Sequence, residues 1–148
     1  VIVGGKGWLD EGLPREIERL GLRDRVRLTG FVDDADLPAV YSAADLLVFP
    51  SLYEGFGLPL LEAMACGTPV ISSNASSLPE VATEESAVLL SPHDETVWTT
   101  AMLRLLGDQS ARGELSAAGL ARSAQFSWRP AARQLADLYE SLLLGENF

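Results

Sequence analysis

Five short apolar runs, at residues 1–4, 26–30, 46–50, 69–73 and 87–91, recur along the chain with longer amphipathic stretches between them. Runs this short and rich in Val, Ile and Leu read as strands covered on both faces, and the stretches between them read as crossover helices. That alternation predicts an α/β fold, a doubly wound parallel sheet. It constrains the chain more than any other feature, because parallel strands need a crossover at every step.

The spacing predicts a helix over 14–21, with Ile17 and Leu20 apolar and Gly21 as its stop. A second is expected over 36–44, where Asp36 is placed to cap and Leu37, Val40, Tyr41 and Ala44 share one face. A third covers 58–66, with Pro59 near its start and Gly67 just past its end. After residue 91 the period changes to three successive helices, 95–106, 110–125 and 128–144. Val97, Ala101 and Leu105, and then Leu135, Leu138, Tyr139 and Leu142, are the stripes expected to be buried.

Length and charge narrow the function. A chain of 148 residues suits one buried core. Its net charge of −10 argues against nucleic acid, whose affinity rests on clustered Lys and Arg. A small phosphorylated ligand needs only a few donors aimed at one point, although Lys6 is the only lysine. No run approaches the ~20 apolar residues that cross a bilayer. The lone Cys66 forms no internal disulfide, so the cytoplasm is the expected location.

The stretch most able to carry chemistry is Glu54-Gly55-Phe56-Gly57-Leu58-Pro59-Leu60-Leu61-Glu62, directly after the third expected strand. Ligands of open parallel sheets sit outside the carboxyl ends of strands. Gly55 and Gly57 allow a bend and a close backbone approach, and the helix that follows offers unpaired N–H groups with partial positive charge, a seat for phosphate. Glu54 in the loop and Glu62 in the first turns of the helix are expected to face one crevice, where carboxylates accept hydrogen bonds from paired sugar hydroxyls. Taken alone, two glutamates are explained by dipole complementation and solvation. The context argues otherwise, because an acidic residue buried in an apolar helix costs free energy unless it has a partner.

Glu54 and Glu62 stand in the E-x7-E arrangement, and SLYEGFGLPLLEAMACGTPVISS resembles family 4 of the retaining glycosyltransferases with the GT-B fold. VIVGGKGW, DRVRLTGFVDDADLPAVYSAADLLVFPS, SSLPEV and FSWRPAARQLADLYESLL extend the resemblance over nearly the whole chain. It implies a Rossmann-like, nucleotide-sugar-binding domain at 1–125 and a C-terminal helix at 126–148 packing on it, together the donor half of a GT-B enzyme. Glu54 would contact hydroxyls of the donor sugar and Glu62 the ribose. The backbone of Gly55, Phe56, Gly57 and Leu58 would hold sugar and diphosphate, and the turn at Phe31 and Val32 would cover the base.

The reaction so implied is transfer of a sugar from a nucleoside diphosphate to an acceptor hydroxyl with retention at the anomeric carbon. The donor is a substrate, and no separate cofactor is expected. The GKGW string is similar to a loop common among family members using GDP-mannose, which favours mannose and brings Lys6 towards the nucleotide. Family members also neutralise the diphosphate with an Arg and a Lys that the resemblance places upstream of Val1. The chain is accordingly expected to be cut from a longer protein, whose N-terminal domain would bind a sugar or lipid-linked acceptor and could sit at a membrane surface. A different class of function, a non-catalytic nucleotide-sugar-binding or interaction module of the same fold, would be separated from the enzyme by transfer activity of the full-length protein.

The remaining signals have ordinary explanations. Gly4-Gly5-Lys6-Gly7 fits neither phosphate-loop spacing. Asp34-Ala35-Asp36 matches a metal-holding D-x-D pattern but suits a helix start, and no cluster of His, Cys and carboxylates suggests a metal site. His93 and Cys66 receive no role. Phe126, Trp128 and the last helix are expected to pack into the core.

Overall fold

The computed structural model describes residues 1–5 and 12–144, and Lys6, Gly7 and Trp8 of the GKGW string lie outside them. The chain divides into two compact units, Val1–Val40 and Tyr41–Phe148. All five expected strands are present and parallel, distributed over two sheets.

In the first unit β1 (Ile2–Val3) pairs with β2 (Leu28–Gly30), and α1 (Gly12–Arg19) stands between them in sequence. Gly21, at φ 64, turns the chain after α1 as expected. None of the described residues of this unit is buried. α2 (Leu37–Ser42) carries the chain into the second unit, and no N–H among the described residues bonds to the side chain of Asp36.

The second unit holds the core. Its sheet has the order β3 (Leu47–Phe49), β4 (Val70–Ser73), β5 (Val88–Leu90), with Val48 opposite Ile71 and Ile71 opposite Val88. β4 is the central strand, and all four of its residues are buried. Because successive side chains point to opposite faces, Val70 and Ile71 serve different cores. Val70 joins Leu60, Ala63 and Met64 of α3 (Leu58–Ala65) and Leu78 and Val81 of α4 (Leu78–Val81). Ile71 joins Trp98, Ala101 and Leu105 of α5 (Glu95–Gly107).

Trp98 corrects the expected stripe of α5: it is buried with its indole N–H donating to the Ser91 carbonyl at 2.8 Å, while Val97 is exposed. Burial of the larger ring was open to Trp98 because Ser91 satisfies its one polar atom. Asp94 caps α5 by accepting from Thr96 and Val97 N–H groups. α6 (Gln109–Ser123) packs on α3, where Gly119 lets the helices close: a Cβ there would lie 3.1 Å from Met64 Cγ. α7 (Trp128–Leu143) buries no residue, contrary to the expected core packing. Its stripe of Leu135, Leu138, Tyr139 and Leu142 is exposed, so the amphipathic pattern was correct but no element among the described residues covers it.

Candidate functional site

The E-x7-E stretch leaves the carboxyl end of β3 as a loop and enters α3. Gly57 is its fixed point. It caps α3 at φ 105 and ψ 43, a left-handed conformation that favours glycine, and a Cβ there would fall 2.6 Å from Leu78 Cδ2. A Cβ on Gly55 would meet nothing within 4 Å, so the backbone there borders open space. With Pro59 in the first turn of α3 and no side-chain cap at Gly57, the N–H groups of Gly55, Phe56, Gly57 and Leu58 bond to no acceptor among the described residues. Those of Gly57 and Leu58 are orphan donors of the helix start, and those of Gly55 and Phe56 extend the row into the loop before it.

Glu54 is half-buried and braced by serines. The Ser51 hydroxyl donates to its Oε1 at 2.8 Å. The hydroxyls of Ser76 and Ser77, in the turn between β4 and α4, both donate to its main-chain carbonyl at 2.8 Å. Ser77 Oγ also lies 3.2 Å from the Phe56 carbonyl, and Ser73 donates to the carbonyl of Ser51. Ser76 is the one described non-glycine residue with positive φ, 54°, and this conformation points its hydroxyl at the loop. Held strain of this kind often accompanies functional sites.

Glu62 differs from expectation. Its side chain is exposed, because it stands on the face of α3 opposite Leu60, Ala63 and Met64. It does have a partner: the Tyr41 hydroxyl donates to its Oε2 at 2.9 Å. Burial, and then the hydrogen bond to Glu62 and its charge, raise the Tyr41 pKa. The fold therefore favours the neutral phenol, and this contribution is complete below the ordinary tyrosine value and fades only as pH rises through the raised one. At neutral pH Tyr41 is a donor.

A groove of about 400 Å³ runs along this face of α3. Phe56, Leu58, Leu61 and Glu62 form one side, and Phe126 and Trp128 stand on the other. Glu54 does not line it. Phe126 meets Phe56 edge to face, with ring centroids 6.1 Å apart, beneath the Arg122 guanidinium at 4.8 Å.

The structure thus keeps Glu54, Gly55, Phe56, Gly57, Leu58 and Glu62 on one loop and helix. Phe31, 75% exposed, and Val32 follow β2 in the other unit, and Lys6 lies outside the described residues. Sequence reasoning missed Ser51, Ser76, Ser77 and Tyr41. The serine pair ahead of Leu78-Pro79-Glu80, at the end of an expected strand, was the available signal for two of them. Among the described residues no group of His, Cys and carboxylates could hold a metal, and no helix is long and apolar enough to cross a membrane.

Residues 1–122 match the family model described as "Glycosyl transferases group 1". O-antigen chain mannosyltransferase B of Escherichia coli is 42% identical over 96% of this chain and 37% of its own length. D-inositol 3-phosphate glycosyltransferase of Salinispora tropica is 41% identical over 81% of this chain and 25% of its own. Sucrose-phosphate synthase from Thermosynechococcus elongatus superposes with a TM-score of 0.84 at 40% identity, over 97% of this chain and 38% of that one. HepE of Anabaena, solved in complex with UDP-glucose, gives 0.86 at 28% identity, over 94% of this chain and 40% of that one. The chain therefore spans at most two fifths of these relatives.

Proposed function

This chain belongs to the glycosyl transferases group 1 family, and on that premise we propose that it is the donor-binding part of a retaining glycosyltransferase that uses GDP-mannose. The observation that carries the proposal is the row of unpaired N–H groups from Gly55 to Leu58 flanked by two carboxylates. In this reading those N–H groups seat the diphosphate, Glu54 accepts from hydroxyls of the sugar, and Glu62 accepts from the ribose. Phe31, Val32 and Lys6 of the first unit serve the base and the nucleotide.

When the bond from the anomeric carbon to the diphosphate oxygen breaks, its electron pair goes to the diphosphate, and the sugar forms a new bond to the acceptor oxygen, which passes its proton to the departing diphosphate. Donors fixed where that charge grows lower the barrier. The E. coli relative's name, a mannosyltransferase, favours mannose. The donor is consumed as a substrate, no separate cofactor enters, and the acceptor, a sugar or a lipid-linked acceptor, is bound by parts of a longer cytoplasmic protein. Retention is expected from the family arrangement of Glu54 and Glu62.

The test is transfer by the full-length protein with GDP-mannose, UDP-glucose and ADP-glucose offered separately, and with product stereochemistry read by NMR. GDP-mannose is expected to give the highest kcat/KM and a retained anomeric configuration. Preference for another donor would overturn the mannose assignment, and inversion would overturn the mechanism.

A further inference from the structure

Glu62 is exposed on α3, and an exposed glutamate normally samples many rotamers at a cost in ordering when it binds. Here it does not stand alone. The Tyr41 ring is half-buried against the core cluster of Leu60, Met64 and Val70. Its main-chain carbonyl accepts from the buried Thr68 hydroxyl at 2.7 Å, and its own hydroxyl donates to Glu62 Oε2. Tyr41 is therefore fixed at both its backbone and its ring. It uses one oxygen of the carboxylate, while Oε1 has no protein partner among the described residues. A carboxylate oxygen accepts more than one hydrogen bond, so Oε1 and the remaining capacity of Oε2 suffice for two adjacent hydroxyls.

We infer that Tyr41 is a positioning residue that holds the Glu62 carboxylate ready for the 2′- and 3′-hydroxyls of the nucleotide ribose. This deepens the proposed function and rests on its assignment of Glu62 to the ribose. The role is separable from general support of the fold, because positioning acts only on ligands that carry those hydroxyls.

The experiment compares dissociation constants of GDP and 2′,3′-dideoxy-GDP, or the UDP pair if UDP binds more tightly, in the full-length protein by titration calorimetry. The ratio of the two constants is internal to each folded sample. In the parent it is expected to be roughly ten-fold or more in favour of the ribonucleotide, and Glu62→Gln is expected to bring it close to one. Tyr41→Phe, which keeps the ring in the core, is expected to lower the ratio by roughly three- to ten-fold while leaving dideoxy affinity unchanged. Tyr41→Leu, which also lacks the hydroxyl but stays apolar against the core, is expected to lower the ratio in the same way and serves as the test if the Phe variant folds poorly. If Glu62→Gln collapses the ratio and Tyr41→Phe does not, the positioning role is overturned and the ribose assignment stands. If Glu62→Gln leaves the ratio intact, the ribose assignment itself fails and takes the inference with it.

Discussion

The loop that carries Glu54 and the helix that carries Glu62 are held by different forces. The loop is fixed through hydroxyls: Ser73 to the Ser51 carbonyl, Ser51 to the Glu54 carboxylate, Ser76 and Ser77 to the Glu54 carbonyl. Each such bond contributes ~0.5–1.5 kcal/mol net, because water competes for the same groups. Helix α3 is fixed by burial, with Leu60, Ala63 and Met64 wholly covered between β4, α4 and α6. The two carboxylates are therefore positioned with different stiffness. The one read as touching the sugar sits on a segment held by small, separable interactions, and the one read as touching the nucleotide sits on a rigid rod with a single tyrosine as rudder.

The comparison breaks most readily at the rod. Leu60→Ala is expected to cost ~2–5 kcal/mol, since the site is fully buried on all sides and collapses poorly around the lost methyl groups. Urea denaturation of parent and variant reads this, and a change under ~1 kcal/mol would mean that α3 is not the rigid member. Gly57→Ala comes next, where loop and rod meet. Backbone strain there is ~1–3 kcal/mol, and the new Cβ must also displace Leu78. The expected result is loss of transfer with a lowered melting temperature, and an unchanged melting temperature would refute the strain argument.

A finer test separates the two carboxylates. Ser77→Ala removes the hydroxyl that serves the Glu54 and Phe56 carbonyls, and it is expected to cost ~1 kcal/mol of stability. Its functional effect should fall on kcat with GDP-mannose in the full-length protein, with GDP affinity within about two-fold of the parent, because Glu62 and Tyr41 are untouched. Equal losses in both would show that the loop and the helix respond as one body.

Much of the fold was legible before any coordinates, and the misses share one cause. Strands were found from short apolar runs; in β4 burial on both faces writes itself into every residue, whereas β1 and β2, expected to be covered on both faces, bury none of theirs among the described residues. The turn chemistry of Gly57, Pro59 and Gly67 likewise acts within a few residues. A stripe, in contrast, states which face of a helix is apolar but not what covers it. Leu135, Leu138, Tyr139 and Leu142 form a stripe that stays exposed, and Tyr41, read as one member of the stripe of α2, reaches Glu62 across 21 residues. Glu62 was expected to be buried because its neighbours are apolar, yet Leu58, Leu61 and Ala65 on its own face line an open groove. Sequence neighbours report burial poorly on a helix that is apolar all round.

The smallest expected effect lies across that groove. Phe126 and Trp128 are two residues apart, and both line the groove beside Glu62, but only Phe126 is engaged, edge on to Phe56 and under Arg122. Arg122 in turn donates to the carbonyls of Glu80 and Val81 at the end of α4, which ties Phe126 to a helix that shares a core with α3. Trp128 is 80% exposed and has little buried surface to lose. Trp128→Ser should therefore leave stability within ~0.5 kcal/mol of the parent, as for most exposed positions, whereas Phe126→Ala should cost more through lost packing on Phe56. Thermal melts of both variants, run with and without GDP, decide the point. A Trp128→Ser protein that melts with the parent alone but loses its GDP-dependent shift would extend the nucleotide site from Glu62 across the groove to α7. Equal shifts would leave Trp128 and α7 outside the nucleotide site.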